Sequence, residues 1–268
     1  MTQHRQTAIL TDTRWIESSR YPEAMPRQSR YSTIDNVNSS CDHLFIIDFR
    51  HPKVSNAMSQ VFFQIAPGTL WGDYGRILAH GESVRKSDIA EDRLYNRDLP
   101  LVVDRTGPFV PPLFIGGVLN ALIVPEASRQ ILHDKYSELF RFRPVELGKV
   151  VWLEWHLWNF DTDFPDQLPD NGEPENYILE RTPSKEAALA IGQLWEIELP
   201  MGATMECEFD PDSLTIEYQL SEWNGQDVFY AEKPVARMRR LFCTADGKAR
   251  LEQLKVAPFV EFIEVARR

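Results

Sequence analysis

Apolar positions along this chain fall into short runs, separated by stretches rich in Pro, Gly, Asp and Asn. Runs of that length predict strands and modest helices, not long amphipathic rods. The clearest pattern lies between Asn120 and Leu147. Leu122, Ile123 and Val124 predict a buried strand. Pro125 follows as the first helical residue, since it has no N–H to lose. Ala127, Ile131, Leu132 and Tyr136 then stand at helical spacing. Phe140, Phe142 and Val145 predict a second strand, with Pro144 at an edge or a bulge because proline cannot donate to a ladder.

The pattern returns near the end of the chain. Leu241, Phe242 and Cys243 are the apolar run, and Thr244 stands where Pro125 stood, a residue suited to cap a helix. Leu251 answers Leu132. With one inserted residue, Phe262 and Val265 answer Phe142 and Val145. The chain therefore carries strand, helix, strand twice. Two copies are too few for a solenoid, and a supersecondary unit common to many α/β and α+β proteins is the plain alternative.

Around these units the pattern predicts further strands at Leu44–Phe49, Val61–Ile65 and Leu99–Val103, and a helix or charged loop over Ser87–Asn96. Gly107-Pro108, Pro111-Pro112 and Gly116-Gly117 mark an irregular passage. Val150–Phe160 alternates: Val151, Leu153, Trp155 and Leu157 face one way, and Trp152, Glu154, His156 and Trp158 the other, which predicts one long strand. Asp161–Asn176 reads as a loop. Pro183–Trp195 predicts a helix that starts at Ser184, and Trp195–Leu199 is ambiguous. Met205–Phe209 and Leu214–Leu220 predict strands joined by a turn at Asp210-Pro211-Asp212. Asn224-Gly225 predicts a hairpin leading into Val228–Tyr230. The fold class expected is α+β, with a mixed, largely antiparallel sheet and the two strand-helix-strand units. The domain division expected is 1–115, mostly strands with an irregular arm, and 116–268, with one continuous core as the alternative.

The two units carry Phe142-Arg143-Pro144-Val145 and Phe262-Ile263-Glu264-Val265. This layout resembles the class-eleven immunity proteins that protect bacteria from their own polymorphic toxins, once grouped as a domain of unknown function. In that family an apolar strand leads through Pro or Val-Ser into a helix and a strand ending in Phe-x-Pro-Val, and the unit recurs near the C-terminus. Glu264 departs from the pattern, where proline is expected. The resemblance covers Leu101 to Val265 and is weak between Val151 and Gln219. It implies a protein that binds one cognate toxin domain and has no catalysis of its own.

Composition adds two constraints. The apolar content of 43% belongs to a folded protein. No apolar run reaches membrane-spanning length, and no secretory signal follows Met1–Arg5. The three cysteines, Cys41, Cys207 and Cys243, are far apart and odd in number, as in a reduced cytoplasmic protein. The N-terminal arm carries Arg5, Arg14, Arg20, Arg27 and Arg30, but Asp12, Glu17, Glu23 and Asp35 argue against an organelle transit peptide. The net charge of −11 is regional: Asp161 to Glu222 holds sixteen acidic residues against Arg181 and Lys185, a balance of −14, and the remainder carries +3. Phosphate backbones would be repelled there, so no nucleic-acid partner is expected.

Motif chemistry is sparse. No phosphate-binding loop, nucleophile elbow or His-Glu-x-x-His is present. Asp161, Asp163, Asp166 and Asp170-Asn171-Gly172 lack the spacing of a calcium loop. Glu154, His156 and Asp161 are the enzyme candidates, as a metal-dependent hydrolase, but no second histidine stands at a ligand spacing. No cofactor, metal or membrane partner is expected. The reading preferred is an immunity protein that masks the basic active site of a cognate toxin with an acidic surface. Asp161, Asp163, Asp166, Asp170, Glu173 and Glu175 would face the toxin, with Trp158 and Phe164 as anchors. An assembly subunit is a third reading.

Overall fold

The computed structural model describes residues 60–82, 99–116, 120–210, 215–233 and 238–265. The expected strand at Leu44–Phe49, the segment Ser87–Asn96 and Cys41 lie outside them. β1 (Phe62–Pro67) leads through a turn at Trp71-Gly72 into α1 (Asp73–Gly75), which widens into a π-helical turn, Arg76–His80. β2 (Leu101–Gly107), β3 (Phe114–Gly116) and β4 (Ala121–Pro125) precede α2 (Glu126–Tyr136) and the long β5 (Arg141–Trp152). A 3-10 turn (Trp155–Leu157) and α3 (Asn176–Leu179) flank the acidic loop. α4 (Lys185–Ile191), β6 (Leu194–Glu198), β7 (Met201–Asp210), β8 (Thr215–Ser221) and β9 (Val228–Lys233) follow. The last unit is β10 (Met238–Thr244), α5 (Ala245–Glu252) and β11 (Val260–Glu264).

The fold is α+β, with two mixed sheets. One has the order β11-β1-β10-β9-β7-β8 and the other β2-β5-β6-β4-β3. β2 with β5 and β7 with β9 run parallel, and the other pairings are antiparallel. Strands from before residue 116 pair with strands from after it in both sheets. Among the described residues no helix is long and apolar enough to cross a membrane.

The two sequence units are the same object in space. β4 and β5 flank β6, antiparallel to each; β10 and β11 flank β1 in the same way. Each unit is thus a strand-helix-strand crossover split by one strand from elsewhere in the chain. The registers agree row by row. Pro125, Leu194 and Val145 share a row, as do Thr244, Phe62 and, through its N–H to the Phe62 carbonyl, Val265. One row on, Val124, Trp195 and Pro144 match Cys243, Phe63 and Glu264. The helices match too: Leu132 and Leu251 are fully buried. The Arg129 guanidinium lies 4.9 Å from the Trp195 ring centre, and Lys248 Nζ lies 4.4 Å from that of Phe63. Both sheets and both helices contribute to one core, with Leu122, Val124, Ile197, Ile65, Leu241, Cys243, Leu132 and Leu251 at its centre.

Several local expectations are corrected. Pro125 closes β4 in extended conformation at the N-cap, and the helix starts at Glu126. The predicted strand over Val150–Phe160 ends at Trp152. It is the tail of β5, which runs unbroken through Gly148, where a Cβ would lie 2.0 Å from Asp104 Oδ1. The reason is the partner: β2 ends at Gly107, opposite Trp152, and the Gly107 carbonyl accepts a last bond from the Leu153 N–H. With no ladder beyond, the backbone turns into the 3-10 helix. Alternation of burial survives to Trp155, which is buried, and fails at Leu157, which is 71% exposed.

Asn224-Gly225 does form a turn, with Gly225 at φ 91°, but not a hairpin. β7 lies between β8 and β9, and the turn is held to it by Asn224 N to the Gly202 carbonyl and Asn224 Nδ2 to the Met201 carbonyl. Phe114–Gly116, read as irregular, is β3, and the ambiguous Trp195–Leu199 supplies β6, the central strand of its sheet. Pro144 sits before the β2 pairing begins at Val145, so its missing N–H faces no ladder on that side.

Candidate partner-binding surface

The acidic loop is a built structure. Pro165 and Pro169 are buried beneath it. Tyr177, also buried, donates its hydroxyl to the Gln167 carbonyl, and Tyr74 donates to the Gly172 carbonyl at 2.8 Å. Asparagines make the local turns: Asn159 Oδ1 accepts from Asp161 N, and Asn171 Oδ1 from Glu173 N and Asn176 Nδ2. These bonds use backbone and amide groups; of the six carboxylates, among the described residues Asp166 alone takes part, accepting from Asn159 N at 3.4 Å.

Asp161, Asp163, Asp166, Asp170 and Glu173 are exposed and Glu175 is half-buried. Among the described residues, none of the six has a Lys or Arg within ion-pair distance. Phe164 stands 64% exposed beside them, with Leu157, Leu168 and Leu179 also exposed. Trp158 is placed differently. It is half-buried, 5.8 Å from the Trp71 ring and 6.1 Å from that of Tyr177, and belongs to the aromatic cluster that holds the loop.

That cluster builds one wall of a cleft of about 560 Å³, lined by Thr69, Trp71, Phe160, Asp161, Asp163 and Glu261 among others. Trp71 adopts φ 51°, uncommon for so bulky a side chain. Its ring is edge-on to Phe160 at 5.2 Å, and its buried indole N–H has no hydrogen-bond partner among the described residues. On the opposite side, Glu261 Oε1 accepts from both Thr69 N (3.0 Å) and Thr69 Oγ1 (2.8 Å). Gly68 makes the approach possible: its N–H donates to the Phe259 carbonyl at 2.7 Å, and a Cβ there would meet the Pro258 oxygen at 1.9 Å.

A polar core that the sequence did not announce lies around the π-helical turn. The π-helical turn is tied to β2 by side chains: Thr106 Oγ1 donates to the Leu78 carbonyl at 3.1 Å, and the fully buried Arg105 reaches the Ala79 and Phe109 carbonyls at 3.5 Å. Arg105 also stacks over the Phe114 ring at 4.5 Å, and burial pushes its guanidinium down to about 9. His80 Nδ1 accepts from Ile115 N at 3.0 Å, which requires an unprotonated nitrogen. Burial, reinforced by the charge of Arg105, holds His80 near 4, with the Phe259 carbonyl opposing. Three glycines within five residues of Trp71, at Gly68, Gly72 and Gly75, were the trace of this wall in the sequence.

The residues of the hydrolase reading are spread out. Glu154 is exposed at the start of the 3-10 turn beyond β5, while His156 lies flat on Phe109, 5.1 Å away and 16° from parallel. Asp161 is out on the loop. Among the described residues no three His, Cys, Asp or Glu side chains converge as a metal site requires. Burial pushes the Cys243 thiol up to about 12, which suits a core residue and not a nucleophile. Compared with protein-family models, curated proteins and solved structures, the chain gives no match.

Proposed function

We propose that this protein is an immunity protein of a bacterial polymorphic toxin system, which binds one cognate toxin domain and covers its basic active site. One observation carries the reading: a braced surface loop displays six carboxylates without basic partners among the described residues, next to exposed Phe164, Leu157, Leu168 and Leu179. A purely solubilising face needs no apolar members. A protein interface needs both, since apolar anchors supply affinity and charge supplies steering and partner choice. The braces matter as well, because a loop ordered before binding loses less entropy on docking. The doubled strand-helix-strand layout is the scaffold in this reading.

The test is co-purification with the product of the adjacent upstream gene, where an immunity gene would find its toxin. The expected result is a stable complex and protection of cells, both lost when Asp161, Asp163, Asp166, Asp170, Glu173 and Glu175 are changed to Lys together. A complex and protection untouched by that reversal would remove the acidic surface from the mechanism.

A further inference from the structure

We propose that β8 is the edge through which two copies of this chain pair, antiparallel about Tyr218, into one continuous sheet. The strand reads Thr215-Ile216-Glu217-Tyr218-Gln219-Leu220-Ser221. Outward from Tyr218 it is a palindrome of residue types: Glu217 answers Gln219, Ile216 answers Leu220, and Thr215 answers Ser221. A twofold interface requires a self-complementary surface, and a strand of this kind supplies one. Centred on Tyr218, the pairing sets isoleucine against leucine, and each Glu217 against an amide of the same shape instead of a second carboxylate. The register is fixed by the same residues. A slip of the centre to Glu217 would oppose two carboxylates directly, and a slip to Gln219 would shorten the pairing and break the match of types. A foreign strand would call for no such symmetry, so the occupant is a second copy.

Such pairing needs an open edge, and the four edges of the two sheets differ. β2 is closed by Glu82, which exchanges two backbone bonds of 2.8 Å with Asp104. β3 spans three residues, and the His80 ring takes the Ile115 N–H. β11 is not self-complementary: pairing about Phe262 would set Glu261 against Ile263 and Glu264 against Val260. β8 has neither cover nor mismatch. Among the described residues its backbone bonds only to β7, over a register without a bulge. It also holds no lysine or proline, the residues that commonly blunt a sheet edge. Residues directly opposite share a face, and Tyr218 lies across from Cys207, Leu220 across from Met205. On that face Tyr218 and Leu220 pack against Met205, Phe229 and Phe242, with the Tyr218 ring 5.7 Å from that of Phe242. Ile216 belongs to the same face by alternation and is 48% exposed. Pairing sets it beside Leu220 of the second copy, so the apolar face continues across the junction.

The test is sedimentation velocity of the full chain from about 1 to 500 µM, at about 50 and 500 mM salt. Wild type should pass from monomer to dimer within that range, since one strand per copy makes a small and therefore weak interface. Each chain carries −11, so screening should tighten the dimer at the higher salt, the reverse of a complex with a basic toxin. Gln219→Glu should weaken the dimer about fivefold or more, because the axis repeats the opposed carboxylates on both sides. Gln219→Lys, which sets a lysine opposite each Glu217, should tighten it several-fold. Gln226→Glu makes the same change at an exposed position outside β8, and should alter the dimer less than about twofold. Gln219 is itself exposed, so all three variants should keep the wild-type urea midpoint. A chain still monomeric at about 500 µM would overturn the pairing, as would a dimer that salt weakens, or equal effects of Gln219→Glu and Gln226→Glu. A monomeric chain whose toxin complex is weakened by Gln219→Glu would give the edge to a strand of the toxin and not to a second copy.

Discussion

His80 shows how one side chain acquires its character from its surroundings. As a free residue it would titrate near 6.5; here burial and Arg105 hold it near 4. A base whose folded value is lowered leaves the unfolded state with more protons between the two values. Stability is therefore complete above pH 6.5 and is lost as pH falls from 6.5 toward 4, by about 3 kcal/mol at most. Wild type should exceed His80→Asn in urea unfolding at pH 7.5, and that margin should shrink at pH 4.5. A margin independent of pH would show that the imidazole stays unprotonated in both states or titrates alike in both. Gly68 acts through absence. A methyl group there would overlap the Pro258 oxygen, so Gly68→Ala should cost about 1–3 kcal/mol, the usual range for overpacking, read as a lower urea midpoint at unchanged slope. Neither effect is visible in the sequence, because each depends on a residue more than thirty positions away: Ile115 for His80, Pro258 for Gly68.

At the scale of elements, the repeat was legible and its wiring was not. Leu132 and Leu251, and Pro125 and Thr244, occupy matching places because the apolar spacing demands it. The strand inserted between the two members of each unit comes from elsewhere, β6 in one and β1 in the other. The units also differ in one telling respect. In the first, Glu126 accepts from both Arg129 and Trp195 Nε1, so cation, ring and carboxylate are joined. In the second, Ala245 stands in the place of Glu126, and Lys248 over Phe63 acts without it. Double-mutant cycles should give about 0.5–1 kcal/mol for Lys248 with Phe63, and a larger coupling for Arg129 with Trp195. Equal couplings would mean that Glu126 adds nothing. β5 makes the same point about strands. Its alternation continues past Trp152, but a strand extends only as far as its partner does, and β2 stops.

At the scale of the whole molecule, the uneven charge is the feature with consequences. A segment of −14 on a chain of −11 leaves the rest slightly positive in sum, so the carboxylates that the acidic loop exposes should orient a basic partner on approach. Between about 50 and 500 mM salt, the complex with a toxin should weaken roughly tenfold or more, chiefly through a slower association rate. A salt-independent association rate would place the interface on the apolar members alone. The same field explains why the carboxylates of the loop need a braced backbone. Pro165, Pro169, Tyr177 and the asparagine turns hold together a segment that would otherwise spread by self-repulsion.

Two kinds of information separate along this chain. The α+β class, the doubled strand-helix-strand unit, the caps at Ser184 and Thr244 and the location of the acidic segment were determined by the sequence alone, because each depends on periodicity, turn chemistry or charge within about thirty residues. Tertiary structure decided the rest. It split one expected sheet into two, ended β5 at Trp152, turned Trp158 inward while leaving Phe164 outside, and brought Glu261 to Asp161 and Asp163 across a cleft. It also buried Arg105 and His80 between the π-helical turn and β2. The physical reason is shared by all of these. Strand ends, side-chain exposure and the lining of a cleft are set by which distant segment supplies the missing partner, and local pattern carries no information about that choice.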